Sequence, residues 1–249
     1  RDKERTKESH KRRVLMIGDS FIEGFGLKSA ERTTDFLEKK TGIEHLNFAT
    51  SGHFGPTQYF ILYKHLASQF RHDAVIVGLL PDNDFTDDDP EHGKINFPDQ
   101  YRPYFLKTDT GYRLIYQNPD KQGVSKKQRR REKRLFFRRI LQNYTYSVNA
   151  IIYFSELFKR QKFGVLVTSE VRKVYSGYTD YSTNQMKRME YVVGKIIREV
   201  AGRPLIWMVI PRANDLSSLP NETTLFVKNL KKIVKPFPNV SILDLHQKF

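Results

Sequence analysis

The sequence predicts an α/β protein: a three-layer α/β/α sandwich around a five-stranded parallel sheet. Three observations point there. Short, almost wholly apolar runs such as VLMIG (14–18) and AVIVGLL (74–80) have the composition of strands buried on both faces. Segments with apolar residues at helical spacing separate these runs. The loops that follow the apolar runs are rich in Gly, Asp, Asn and Ser, as expected at the carboxyl ends of parallel strands, where such sheets hold their ligands.

The elements follow in order. Val14 to Gly18 is a strand ending in a Gly-Asp-Ser turn, residues near 30–40 read as a helix, and His45 to Ala49 (HLNFA) is a second strand. Pro56 is placed to open a helix over Thr57 to Phe70, because proline at the first helical position forfeits only an N–H that has no intrahelical partner. Ala74 to Leu80 is the third strand. The alternation then pauses, and residues 85 to about 180 read as an insertion. It starts with acids and prolines, carries a hairpin around Asp109 to Gly111, and continues into a basic run and a long amphipathic helix from about Arg134 to Arg160. Residues 163–180 give no clear pattern. A helix near Thr183 to Val200, the strand Pro204 to Ile210, a helix near Thr223 to Val234 and the strand Val240 to Leu245 complete the count.

A chain of 249 residues with 39% hydrophobic content suits one large domain. It lacks cysteine, which excludes disulfides, thiol catalysis and Cys-ligated zinc. The net charge of +15 is local. Residues 1–13 hold seven Lys/Arg against three acids, and Lys126 to Arg139 hold nine against one, which leaves +3 for everything else. We therefore read a basic segment at 1–13, a nearly neutral domain over 14–249, and a basic patch grafted onto it. Lys126 to Arg139 suits an anionic polymer or a membrane surface better than nucleic acid, since Phe136 and Phe137 open the apolar face of a helix rather than interleaving as stacking platforms. A plain solvated helix entrance is an equal alternative. The sequence begins at Arg1 without an initiator Met, and an exported or membrane-tethered protein is the expectation.

The residues that carry chemistry lie on the first three strand-end loops. GDSFIEGFG delivers Ser20, NFATSGHFGP delivers Gly52, and GLLPDNDFTDD delivers Asn83. A serine attacking an ester builds negative charge on the carbonyl oxygen, and each preorganised donor aimed at that oxygen supplies about 3 kcal/mol. Ser20 N–H, Gly52 N–H and the Asn83 amide would form that hole, with Ser20 as the nucleophile. For each the simpler alternative is a helix cap, a turn glycine and an Asx-turn.

These three motifs, in this order and on these strands, resemble the SGNH hydrolases, also called GDSL esterases and lipases. The resemblance covers most of the chain outside 85–180 and implies a flavodoxin-like sheet, an acyl-serine mechanism and no cofactor or metal. The substrate class it implies is an O-acyl ester, perhaps an acetylated saccharide. O-acyl transfer to a glycan is an alternative, as is a catalytically silent module that binds an anionic polymer. Two departures stand out. The family's third loop has Gly before Asn-Asp where this chain has Asp82, and its general base is the His of an Asp-x-x-His segment beyond the last strand, whereas this sequence stops at LDLHQKF. Asp244 reads as the strand-end residue, and His246 is a substitute base set against a surface histidine at a frayed end. His53, beside Gly52, could touch substrate. His10, His45, His65, His72 and His92 have no motif context and read as structural or surface residues. The acids Asp84, Asp87, Asp88, Asp89 and Glu91 read as a solvated loop rather than a cation site, and Asn214-Asp215 as a rim or capping pair.

Overall fold

The structure is a computed structural model that describes residues 5–97, 100–117, 175–219 and 222–248. Its sheet is five-stranded and all parallel: β1 (Arg13–Ile17), β2 (Glu44–Asn47), β3 (Ala74–Leu79), β6 (Leu205–Val209) and β7 (Val240–Asp244), in the order β2-β1-β3-β6-β7. Registers such as Leu15 beside Val75, and Val77 beside Trp207, line up one apolar face across the three central strands. Against that face pack α3 (Pro56–His65), α6 (Thr183–Val200) and α8 (Leu225–Val234), through Tyr59, Phe60, Tyr63, Val192, Val193, Ile196, Phe226 and Leu230. The opposite face carries α1 (Ser20–Glu23) and α2 (Thr33–Thr41), seated by Ile22 against Gly18 and Gly78 and by the Asn47 amide reaching Thr34. The expected three-layer α/β/α sandwich is the observed fold.

The strands and long helices lie within a few residues of their sequence-based ranges because their apolar spacing leaves one consistent burial. The hairpin is also present, as β4 (Arg102–Thr108) and β5 (Gly111–Gln117), joined through Asp109 and Thr110 with Gly111 at φ 132°. Two readings change. The chain divides into a unit of Arg1–Asn118 with Tyr175–Phe249 and another of Pro119–Val174, so 85–117 and 175–180 belong to the main unit rather than to an insertion. The acidic stretch is not a solvated loop. It forms α4 (Pro81–Asp87) directly at the end of β3, then α5 (Pro90–Asn96), and it buries Asp84, Asp87 and Asp88. Proline at N1 and acids in the first turn favour α4 despite its seven-residue length. The basic run 126–139 and the helix expected over 134–160 lie outside the described residues. No helix among the described residues is long and apolar enough to cross a membrane.

Candidate active site

The turn that holds Ser20 is set by close packing beneath it. A Cβ on Gly18 would stand 2.6 Å from Ile22 Cγ1, and one on Gly78 would stand 2.6 Å from Ile22 Cδ1. Glycine at both positions therefore lets Ile22 lie against β1 and β3, which fixes α1 and places Ser20 at the carboxyl end of the central strand. Asp19 is the helix cap, its Oδ1 accepting from Phe21 N–H at 2.9 Å. The cap therefore does not use Ser20: among the described residues, neither its hydroxyl nor its N–H has a hydrogen-bond partner.

The second loop is tied to the first. Thr50 N–H donates to Gly18 O at 3.1 Å, and Ser51 N–H to Glu23 Oε2 at 2.7 Å. The chain then takes two consecutive left-handed residues, Gly52 at φ 101° and His53 at φ 63°. Successive residues of this kind turn their N–H groups toward a common point, a concavity suited to negative charge. Among the described residues nothing accepts from Gly52 N–H.

The third loop closes on the first through Asn83, whose Nδ2 donates to Asp19 Oδ2 at 2.8 Å. The carboxylate uses one of the two amide hydrogens, and the other is free to donate elsewhere. The acids around it are buried and protonate more readily than usual. Burial pushes Asp19 up against the opposing Asn83 bond, and burial with the Asp19 charge pushes Asp84 well above the carboxylate range. Asp84 also accepts from Tyr59 Oη and from Leu80 N–H, both at 2.8 Å. Asp87 and Asp88 are each raised to about 6, chiefly by burial.

Arg102 has no sequence motif and only 2% exposure, yet it braces two of these loops. Its guanidinium donates to His53 O at 2.5 Å and to Asp87 O at 2.9 Å, and lies 4.9 Å over the Phe97 ring. A lone arginine opening a hairpin strand carries no signal that sequence reading could have used.

The other candidates lie elsewhere. His246 is 4% exposed rather than at a frayed surface, packs toward Tyr178, and its Nδ1 has no partner among the described residues. It follows β7, three strands from β1 and so about 14 Å across the sheet. Asp244, as expected the strand-end residue, accepts from His246 N–H rather than from its ring. Asp215 caps α7 (Ala213–Ser218) by accepting from Arg212 N–H, and is buried in a network with Ser176, Arg212 and Asp82 rather than set on a rim. Asp82, raised to about 6 by burial and by Asp215, also accepts from Gly177 N–H at 2.6 Å. A Cβ on Gly177 would overlap the Pro81 backbone, so this segment docks tightly on the start of α4. His72 bonds Tyr63 Oη at 3.0 Å, the satisfied core histidine expected of it. Among the described residues no three His, Cys, Asp or Glu side chains could hold a metal ion. No protein-family model and no characterised protein matches this chain.

Proposed function

We propose that this chain is a serine ester hydrolase of the SGNH type, cleaving an O-acyl ester through an acyl-serine intermediate. One observation carries the reading. A serine with an unengaged hydroxyl sits at a strand end, ringed by Ser20 N–H, Gly52 N–H and the Asn83 amide, on three loops that hydrogen bonds lock together. Donors left free at such a point are what a developing oxyanion requires. The order of the three motifs, resembling the SGNH hydrolases, supports the same reading.

In this reading Ser20 Oγ attacks the ester carbonyl, the three donors hold the oxyanion, and the leaving alkoxide departs with the serine proton. Water then releases the acyl group. Asp19 acts through Asn83: its carboxylate orients the amide without touching substrate. The test is hydrolysis of p-nitrophenyl acetate, for which Ser20→Ala should lower kcat by at least about 10³-fold. Undiminished turnover in that variant excludes the mechanism.

A further inference from the structure

We propose that His53, backed by Asp87, is the general base that takes the Ser20 proton, placing the base on the same loop as the oxyanion-hole glycine. The proposal rests on the serine-ester reading above. It starts from a closed circuit of contacts. Loop one reaches α4 through Asp19 and Asn83, and loop two reaches α4 through His53 and Asp87. Loops one and two join through Thr50 with Gly18 and Ser51 with Glu23. Asn83 and Asp87 are four residues apart on α4, one turn and about 6 Å along its axis. The His53 ring therefore stands about one helical turn from the point where Asn83 meets the residue next to Ser20.

The ring is held rather than loose. Its Nδ1 is 3.6 Å from Asp87 Oδ1, its face leans on Phe97 with centroids 4.3 Å apart, and its carbonyl is fixed by Arg102. With Nδ1 turned to the carboxylate, Nε2 points the other way, and the side chain is 55% exposed. Asp87 has a second oxygen, Oδ2, buried without a hydrogen-bond partner among the described residues, so the carboxylate has spare accepting capacity on the buried side of the ring. A separation of 3.6 Å exceeds a hydrogen bond, and catalytic contacts often close only once substrate binds.

Charge around the pair suits a base. His53 is pulled below its ordinary value by burial first and by Arg102 second, so the imidazole is neutral at pH 7 and free to accept. Asp87 faces Arg102 and His92, which lower its pKa, and Asp19 and Asp88, which raise it. As imidazolium forms, the adjacent carboxylate stabilises it. In the acylation step Nε2 takes the proton from Ser20 Oγ as the Oγ–C bond forms, and gives it to the leaving oxygen as the C–O bond breaks. In deacylation Nε2 takes a proton from water and returns it to Oγ, restoring the starting state.

The experiment compares the protein with His53→Asn, Asp87→Asn and Ser20→Ala. Asparagine tolerates the left-handed backbone at position 53 and cannot act as a base. Two rates are followed from pH 4.5 to 9: p-nitrophenyl acetate turnover and covalent labelling by a fluorophosphonate. The unaltered protein should lose activity on the acid side with an apparent pKa below 6.5. In His53→Asn that limb should vanish, with both rates at least about 10²-fold lower and an unchanged melting temperature. Asp87→Asn should lower kcat more than it changes KM and move the acid limb to lower pH. If Ser20→Ala is inert while His53→Asn keeps its rates and its acid limb, the base assignment is overturned and the ester reading stands. If the unaltered protein is inert to both reagents, or Ser20→Ala is not, both fall together.

Discussion

The placement of Ser20 depends on two glycines beneath it, and Gly78→Ala tests that dependence. The added Cβ would lie 2.6 Å from Ile22 Cδ1, against an ordinary contact of 3.4 Å or more. Overpacking of this kind costs about 1–3 kcal/mol, and the backbone entropy regained on replacing a strand glycine returns about 0.5–1 kcal/mol. The expected net loss is therefore about 1–2 kcal/mol, with Ile22 and the turn carrying Ser20 displaced together. Ile22→Ala alone should cost about 2–5 kcal/mol, because Ile22 is almost wholly buried. Since Ile22→Ala removes the atoms that Gly78→Ala meets, the double variant should lose less than the sum of the single variants by at least about 1 kcal/mol. Urea unfolding followed by the fluorescence of Trp207, the single tryptophan and wholly buried in β6, measures all four proteins. Stability of Gly78→Ala equal to that of the parent, or strict additivity in the cycle, would refute the packing argument.

Asn83→Ala should lower kcat by about 10²-fold, through the oxyanion hole, in a p-nitrophenyl acetate assay. The same substitution should cost about 1 kcal/mol in urea unfolding, since it leaves Asp19 Oδ2 without its donor. Gly52→Ala should lower stability by about 1–2 kcal/mol although the space beside Gly52 is open, because its φ of 101° is poorly tolerated with a Cβ; equal unfolding midpoints would contradict this. Asp88 has a folded pKa of about 6, above its ordinary 3.8. Its contribution to stability is therefore fully present below about 3.8 and is lost as pH rises through about 6. Asp88→Asn, which keeps an acceptor for Thr57 N–H, should flatten the decline in unfolding midpoint between pH 4 and 7; an unchanged slope would show that Asp88 is not the group responsible.

What could be read from the sequence was what local pattern decides. VLMIG and AVIVGLL admit only a doubly buried strand, and the amphipathic spacing of 183–200 admits only a packed helix, so the sheet and its main layer were legible. Ser20, Gly52 and Asn83 were legible because each follows such a strand. Burial that depends on distant partners was not. Asp84 is enclosed because Tyr59, 25 residues earlier, turns its hydroxyl toward it, and His246 is enclosed beside Tyr178. Charged side chains so placed read as exposed from composition alone. The contact between His53 and Asp87 was hidden for the same reason: it needs the left-handed turn of loop two and the unexpected start of α4 immediately after β3. Arg102 joins those two elements from a hairpin that sequence placed in an insertion.

The central claim is that Ser20 is an activated nucleophile, and a fluorophosphonate tests it most directly, since attack by a serine Oγ displaces fluoride and leaves a stable phosphonyl ester. Tryptic digestion yields the peptide Val14–Lys28, VLMIGDSFIEGFGLK, whose one hydroxyl-bearing side chain is Ser20. The account predicts stoichiometric mass addition on that peptide, abolished by Ser20→Ala and by prior unfolding in urea. An unmodified Val14–Lys28 peptide from the folded protein, or a label that falls on other peptides and survives Ser20→Ala, would contradict it.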